Sequence, residues 1–165
     1  MPGPVYWDKT QMKYDGATPS ILAIGDSWFW YPFVGVSLIV ALGELVARKQ
    51  HIIYCLGNNG AEAIDYTQGR YRRALGGSAW LRPALVEARV PLRLHRPAVK
   101  LVIDRFAEIF GNIAAASSGR VIFVDSRGTL TRSTQWANEL HPTPAGFKKI
   151  AIDAWESLLV ADNLA

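Results

Sequence analysis

Three short apolar runs, each followed at once by polar or glycine-containing residues, most constrain what this chain can fold into. They occupy residues 21–24, 52–56 and 121–124. The residues that follow them are Gly25-Asp26-Ser27, Gly57-Asn58-Asn59-Gly60 and Asp125-Ser126-Arg127-Gly128. Continuous apolar runs of this length predict strands buried on both faces, which are typical of parallel sheets. The sequence therefore predicts a short, mainly parallel sheet.

Helical patterns fill the intervals between these runs. Apolar residues share one helical face in residues 38–46, and a longer amphipathic pattern covers residues 99–113. A last pattern over residues 147–158 follows Thr143, a candidate N-cap, and Pro144, which suits the first helical position. Strands that alternate with helices predict right-handed crossovers and a three-layer α/β/α sandwich.

Composition limits the class of protein. The chain has 165 residues, half of them apolar and 19% charged, so we expect one domain over residues 1–165 without disorder. Residues 1–16 lack the apolar run of a signal peptide, and no apolar stretch reaches the roughly 18 residues of a membrane span. We therefore expect a cytoplasmic protein that does not enter a membrane. The sole cysteine, Cys55, excludes an internal disulfide, and its apolar neighbours favour a buried core side chain over a reactive thiol.

The net charge of +4 comes with basic residues that bunch in two places. They are Arg70, Arg72, Arg73, Arg89, Arg93 and Arg96. Tyr71 and Trp80 lie nearby, as aromatic residues do in nucleic-acid surfaces, yet no nucleic-acid motif accompanies them. A solvated helix face is therefore favoured, and a nucleic-acid-associated module is kept as a third interpretation.

The pattern of histidines and glycines argues against bound cofactors. His51, His95 and His141 lack zinc-ligand spacing, and no Cys/His cluster exists. The glycine loops of dinucleotide and nucleoside triphosphate sites are also missing. We therefore expect neither a metal nor an organic cofactor.

Two stretches carry candidate chemistry. Ser27 follows the first predicted strand, at the strand end where open parallel sheets bind ligands, and its backbone N–H can point at a developing oxyanion. His141 precedes the well-marked last helix, and an imidazole held on a short loop suits a general base near neutral pH. Each stretch alone also has a purely structural interpretation, as an ordinary turn or as a histidine that flanks a helix. The two together favour nucleophilic catalysis.

The pair Gly25-Asp26-Ser27 and Asn138-Glu139-Leu140-His141 resembles the first and last blocks of the GDSL or SGNH hydrolase superfamily of esterases and lipases. The resemblance spans both ends of the chain and implies a three-layer α/β/α fold. It implies Ser27 as nucleophile and His141 as base. It also places the glycine of the family's second block at Gly60, so the N–H groups of Ser27 and Gly60 would bind the oxyanion.

The chain departs from this family pattern at two positions. The place of the family's triad aspartate is taken by Asn138, whose amide oxygen can orient the imidazole but adds no charge; Glu139 and Asp125 are the alternative acids. The family's Gly-x-Asn-Asp block, which supplies a side-chain oxyanion donor, is missing, so Asn59 or Asn58 would supply that donor instead. The chain thus resembles a shortened member, with residues 121–124 as the family's final strand, and we expect a slow enzyme.

The residues around Ser27 bear on the substrate. Trp28 and Phe29 either line a substrate pocket or belong to the core or an interface. The expected reaction is hydrolysis of a small-molecule carboxylic ester, with small acyl groups such as acetyl favoured. The alternative is a binding or scaffold protein that keeps the frame without catalysis. A shortened sheet leaves bare edges and six tryptophans are many to hide, so we expect a homo-oligomer.

Overall fold

The structure is a computed structural model that describes residues 4–25, 27–30, 37–57, 91–137 and 141–165. The contacts divide the chain into two compact units, a first unit of residues 1–74 and 126–165 and a second unit of residues 75–125. The expectation of one domain over residues 1–165 stays a prediction. No helix in the described ranges is long and apolar enough to cross a membrane.

The first unit contains a parallel sheet. Its strands within the described residues are β1 (Val5–Tyr6), β2 (Ile21–Gly25) and β3 (Ile53–Gly57), in the order β1-β3-β2. Ile21 pairs with Ile53 and Gly25 with Gly57, so β2 and β3 end at the same edge of the sheet. The predicted mixed α/β class and parallel pairing are confirmed; the three-layer sandwich stays a prediction.

The apolar strand β2 is partly buried on one face and exposed on the other, so the prediction of burial on both faces is wrong for it. Side chains of a strand alternate between faces, and Ile21 and Ala23 pack against the core. On the opposite face Leu22 and Ile24 are 60% and 51% exposed. An uninterrupted apolar run cannot distinguish these two cases, because it places apolar side chains on both faces in either case.

The α-helices within the described ranges are α1 (Lys9–Tyr14), α2 (Ser27–Trp30), α3 (Leu38–Val46), α4 (Leu92–Ala116), α5 (Pro144–Ile150) and α6 (Ser157–Ala161). A π-helical segment, Ala151–Glu156, joins α5 to α6. The helices predicted from residues 38–46, 99–113 and 147–158 are confirmed, and α4 begins earlier than its pattern predicts.

The core of the first unit lies where α3 and the last helical segment pack on β3. Its buried residues are Leu38, Ile39, Ala41, Leu42, Leu45, Val46, Ile53, Cys55, Phe147, Ile150 and Ala151. Cys55 is 0% exposed, which confirms its interpretation as a core side chain. Gly43 lets α3 approach β1, because a Cβ there would lie 2.4 Å from Val5 Cγ2.

The second unit shows no strand at residues 121–124, so that prediction is wrong. After α4 ends, the hydroxyl of Ser117 accepts from the N–H of Val121 (2.9 Å) and donates to the carbonyl of Ala114 (2.7 Å). Phe123 then stacks on Phe110 of α4, with ring centroids 6.0 Å apart. The run therefore packs along its own preceding helix, and Ile122 remains 50% exposed.

Candidate functional site

The backbone of Ser27 follows the carboxyl end of β2, where α2 begins. Gly25 ends the strand beneath the ring of Phe29, and a Cβ on Gly25 would lie 2.3 Å from Phe29 Cδ2 and 2.6 Å from Cγ. Only glycine fits this close approach without moving the whole ring. The strand end that leads into Ser27 is thus shaped by local packing. The Ser27 side chain and Asp26 lie outside the described part of the chain.

Trp28 connects the Ser27 segment to α5. Its ring meets Phe147 of α5 edge-on, with ring centroids 5.7 Å apart and the planes at 79°. Phe147 is 0% exposed, so this contact is made at a buried, well-packed position. Trp28 and Phe29 are both half-buried and pack against the core, so a core role is now observed for residues that were also candidate pocket walls.

His141 lies immediately before α5 and is half-buried. Its carbonyl accepts from the N–H of Ala137 at 2.8 Å, and an antiparallel bridge pairs Trp136 with Pro142. The predicted N-cap is confirmed, because the Thr143 hydroxyl accepts from the N–H of Gly146 at 3.1 Å. His141 therefore leaves a closed loop and enters a capped helix, both of which restrain its backbone.

In the first unit, Trp28, which follows Ser27, thus contacts Phe147 of the helix that follows His141, and the pairing of Ser27 with His141 itself stays a prediction. Other predicted site residues fall outside the described ranges, and their roles stay predictions: Asn58, Asn59, Gly60, Asn138 and Glu139. The alternative acid Asp125 is exposed and ends the second unit. The side chains of the basic clusters likewise lie outside the described part of the structure.

The structure also shows a serine–histidine contact that the sequence did not indicate. Ser20 Oγ lies 2.8 Å from His51 Nδ1, and the N–H of Ile52 donates to the same hydroxyl at 3.4 Å. These residues precede β2 and β3, and the parallel register of the two strands brings them together. Two predicted parallel strands were the signal that could have found them. Ligand sites of open parallel sheets lie at the carboxyl ends of the strands, whereas this exposed pair lies at their starts. We therefore interpret the pair as a structural contact that joins the starts of β2 and β3.

The described ranges contain no group of three or more His, Cys, Asp or Glu residues that could hold a metal ion. Comparisons with protein families, with curated proteins and with solved structures find no match. Functional inference therefore depends on the residues and on their geometry.

Proposed function

We propose that this chain is a carboxylic ester hydrolase in which Ser27 forms an acyl-enzyme and His141 is the general base. The contact between Trp28 and Phe147 is the observation that carries the proposal. Trp28 directly follows the proposed nucleophile, and Phe147 belongs to the helix that begins just after the proposed base. Two segments from opposite ends of the chain thus meet, as a serine–histidine pair requires.

The proposed reaction proceeds in two halves. The Ser27 hydroxyl oxygen attacks the ester carbonyl carbon while its proton passes to His141. The C–O bond to the alcohol then breaks, and His141 returns the proton to the departing alkoxide. Water attacks the acyl-enzyme with His141 again as base, which releases the carboxylic acid and restores Ser27.

The groups around this pair follow the resemblance to the GDSL or SGNH hydrolases. The N–H groups of Ser27 and Gly60 would bind the oxyanion, with Asn59 as a further donor. Asn138 would fix the imidazole through its amide oxygen, with Glu139 or Asp125 in its place if a carboxylate is used. A small acyl group such as acetyl is the proposed substrate portion. Because Asn138 is uncharged, we expect turnover to be slow.

The competing proposal is a scaffold or binding protein that retains the frame of these hydrolases without their chemistry. Asn138 in place of the family's aspartate and the missing Gly-x-Asn-Asp block favour it. This alternative predicts that the chain hydrolyses esters no faster than an unrelated protein without esterase activity at the same concentration. It is therefore distinguished by activity and not by fold.

Hydrolysis of p-nitrophenyl acetate by matched variants tests the proposal. Ser27→Ala and His141→Gln should each abolish turnover, since each removes one member of the pair. Ser20→Ala and His51→Gln are the matched controls, because they break the other serine–histidine contact at 2.8 Å. The proposal is rejected if Ser27→Ala keeps its turnover while Ser20→Ala and His51→Gln lose theirs. The reaction would then take place at Ser20 and His51, at the opposite edge of the sheet.

We further propose that the active form is a homo-oligomer in the cytoplasm that takes a small-molecule ester. Exposed apolar side chains support the oligomer, since contiguous apolar surface is commonly covered by association. On the sheet these are Leu22, Ile24 and Leu56. Nucleic acid and membranes are not part of the proposed function.

A further inference from the structure

The loop that carries His141 is closed by backbone contacts at its base. The N–H of Ala137 donates to the carbonyl of His141 at 2.8 Å, and Trp136 bridges to Pro142. One step further out, the N–H of Thr143 donates to the carbonyl of Gln135 at 2.8 Å. The backbone at His141 is therefore tied to residues 135–137 on the other side of the loop.

Gln135 is the point where these ties converge. Its side-chain Oε1 accepts from the N–H groups of Thr131 (2.9 Å) and Arg132 (2.8 Å). Its carbonyl accepts from the N–H and from the hydroxyl of Thr143, the latter at 3.2 Å. One residue thus joins the chain before the loop to Thr143, the N-cap of α5, which lies two residues after His141.

Gly146 makes this junction possible. A Cβ at Gly146 would lie 2.4 Å from the carbonyl oxygen of Gln135 and 2.9 Å from Pro142 Cβ. A backbone carbonyl cannot yield as the end of a flexible side chain can. The first turn of α5 therefore seats on Gln135 only because residue 146 has no side chain, and Phe147 anchors that turn in the core.

We propose that Gln135 is a positioning residue for His141, and that Gly146 is required for the close packing of α5 against the Gln135 carbonyl. This inference rests on the proposed function, in which His141 must face Ser27. The Oε1 contacts hold residues 131–135 in one conformation, and the Gln135 carbonyl then sets the backbone of Thr143 and, with it, of His141. A displacement of about 1 Å in a catalytic group can lower a rate by about 100-fold.

Gln135→Ala tests the proposal, because it removes the Oε1 acceptor but keeps the backbone carbonyl. Turnover of p-nitrophenyl acetate should fall by about 10- to 100-fold in kcat with little change in KM, since His141 is misplaced while the acyl site is untouched. Gln135→Glu keeps a side-chain oxygen that can accept from the N–H groups of Thr131 and Arg132, and it should restore kcat to near the wild-type value. Ser133→Ala, in the same turn, is the matched control, because its side chain takes no part in these hydrogen bonds, and it should leave kcat unchanged.

A readout independent of activity separates this inference from the proposed function. The chain has three histidines, so the imidazole proton resonances are few, and His141→Gln assigns the one that matters. Gln135→Ala should shift the His141 resonance and leave that of His51 in place, and Gln135→Glu should bring it back. An unshifted His141 resonance in folded Gln135→Ala overturns the inference, even if activity falls. If the wild-type protein shows no turnover that depends on Ser27, the proposed function is wrong. The shift of the His141 resonance in Gln135→Ala still shows whether Gln135 positions His141.

Gly146→Ala is the second variant, for the case in which Gln135→Ala does not fold. Alanine has the higher helix propensity, so α5 itself should tolerate it. The added Cβ must push against the Gln135 carbonyl, so we expect the same shift of the His141 resonance and the same loss of kcat. A Gly146→Ala variant with the wild-type His141 resonance and the wild-type kcat would show that Gly146 is not required for this packing.

Discussion

Packing at single residues shapes the strand end that leads into Ser27. Gly25 is needed because the ring of Phe29 occupies the space of a Cβ, with three ring atoms within 2.7 Å of it. This requirement is steric and not conformational, since the backbone of Gly25 is that of an ordinary strand residue. The three atoms nearest to such a Cβ all belong to this ring.

Gly25→Ala should therefore lower the free energy of unfolding by about 1–3 kcal/mol, the usual cost of overpacking a well-packed site. Urea unfolding followed by circular dichroism measures it. The double variant Gly25→Ala with Phe29→Ala is the control, because the ring that the added Cβ would contact is then removed. Additive losses in the double variant, in place of a clear recovery, would show that the close contact is not the cause.

At the residue scale, local chemistry made part of the site predictable. The N-cap Thr143 and the helix start at Pro144 are recognisable within a few neighbouring residues, and both are confirmed. Gln135 could not be found in this way, because its role depends on where the backbone of Thr143 lies after the chain has turned. No sequence pattern records that a carbonyl will accept two hydrogen bonds from a residue across a loop.

At the element scale, the start of α5 matters most, because it fixes the chain directly after His141. Thr143 uses its hydroxyl twice, accepting from Gly146 and donating to the carbonyl of Gln135. Removal of an N-cap side chain exposes helix N–H groups that have no partner within the helix. The cap and the loop closure thus depend on the same side chain.

Thr143→Ala should lower the free energy of unfolding by about 1–2 kcal/mol, the upper part of the range for lost N-caps, since a second hydrogen bond goes with it. Thr143→Ser keeps the hydroxyl and should lie close to the wild type. Denaturant midpoints at unchanged slope are the measurement. Equal stability of the alanine and serine variants would mean that the cap contributes nothing.

Strands were less predictable than helices, for a physical reason. A helix closes its hydrogen bonds within its own segment, so α3, α4 and α5 follow from local periodicity. A strand needs a partner elsewhere in the chain, and an apolar run does not name one. Residues 121–124 therefore looked like a strand, but Phe123 stacks on Phe110 of α4 instead. β1 was missed because two residues, Val5 and Tyr6, are too short for any alternation to register.

At the scale of the whole molecule, apolar surface remains exposed on the sheet. Leu22 is 60% exposed and Ile24 51% exposed, on strand positions that polar residues usually occupy when they face water. Such a face favours association of copies of the chain. The oligomer expected from the sequence stays a prediction, and this face is the surface at which it can be tested.

Sedimentation velocity at micromolar concentration should give a mass above the 18.2 kDa of one chain. Leu22→Glu should move the mass towards the monomer, because a carboxylate placed in an apolar contact loses its hydration. Tyr14→Glu is the matched control, at an 87% exposed residue of α1, and should leave the mass unchanged. A wild-type protein that sediments as a monomer would contradict the oligomer.

We propose that Ser27 is a nucleophile activated by His141. Covalent labelling with a fluorophosphonate, read by intact mass and by sequencing of the labelled peptide, tests this assignment most directly. We expect one adduct per chain, located on Ser27, that is lost in Ser27→Ala and forms much more slowly in His141→Gln but is retained in Ser20→Ala. An adduct on Ser20, or no adduct on wild-type protein under conditions that label a known serine esterase, would contradict it.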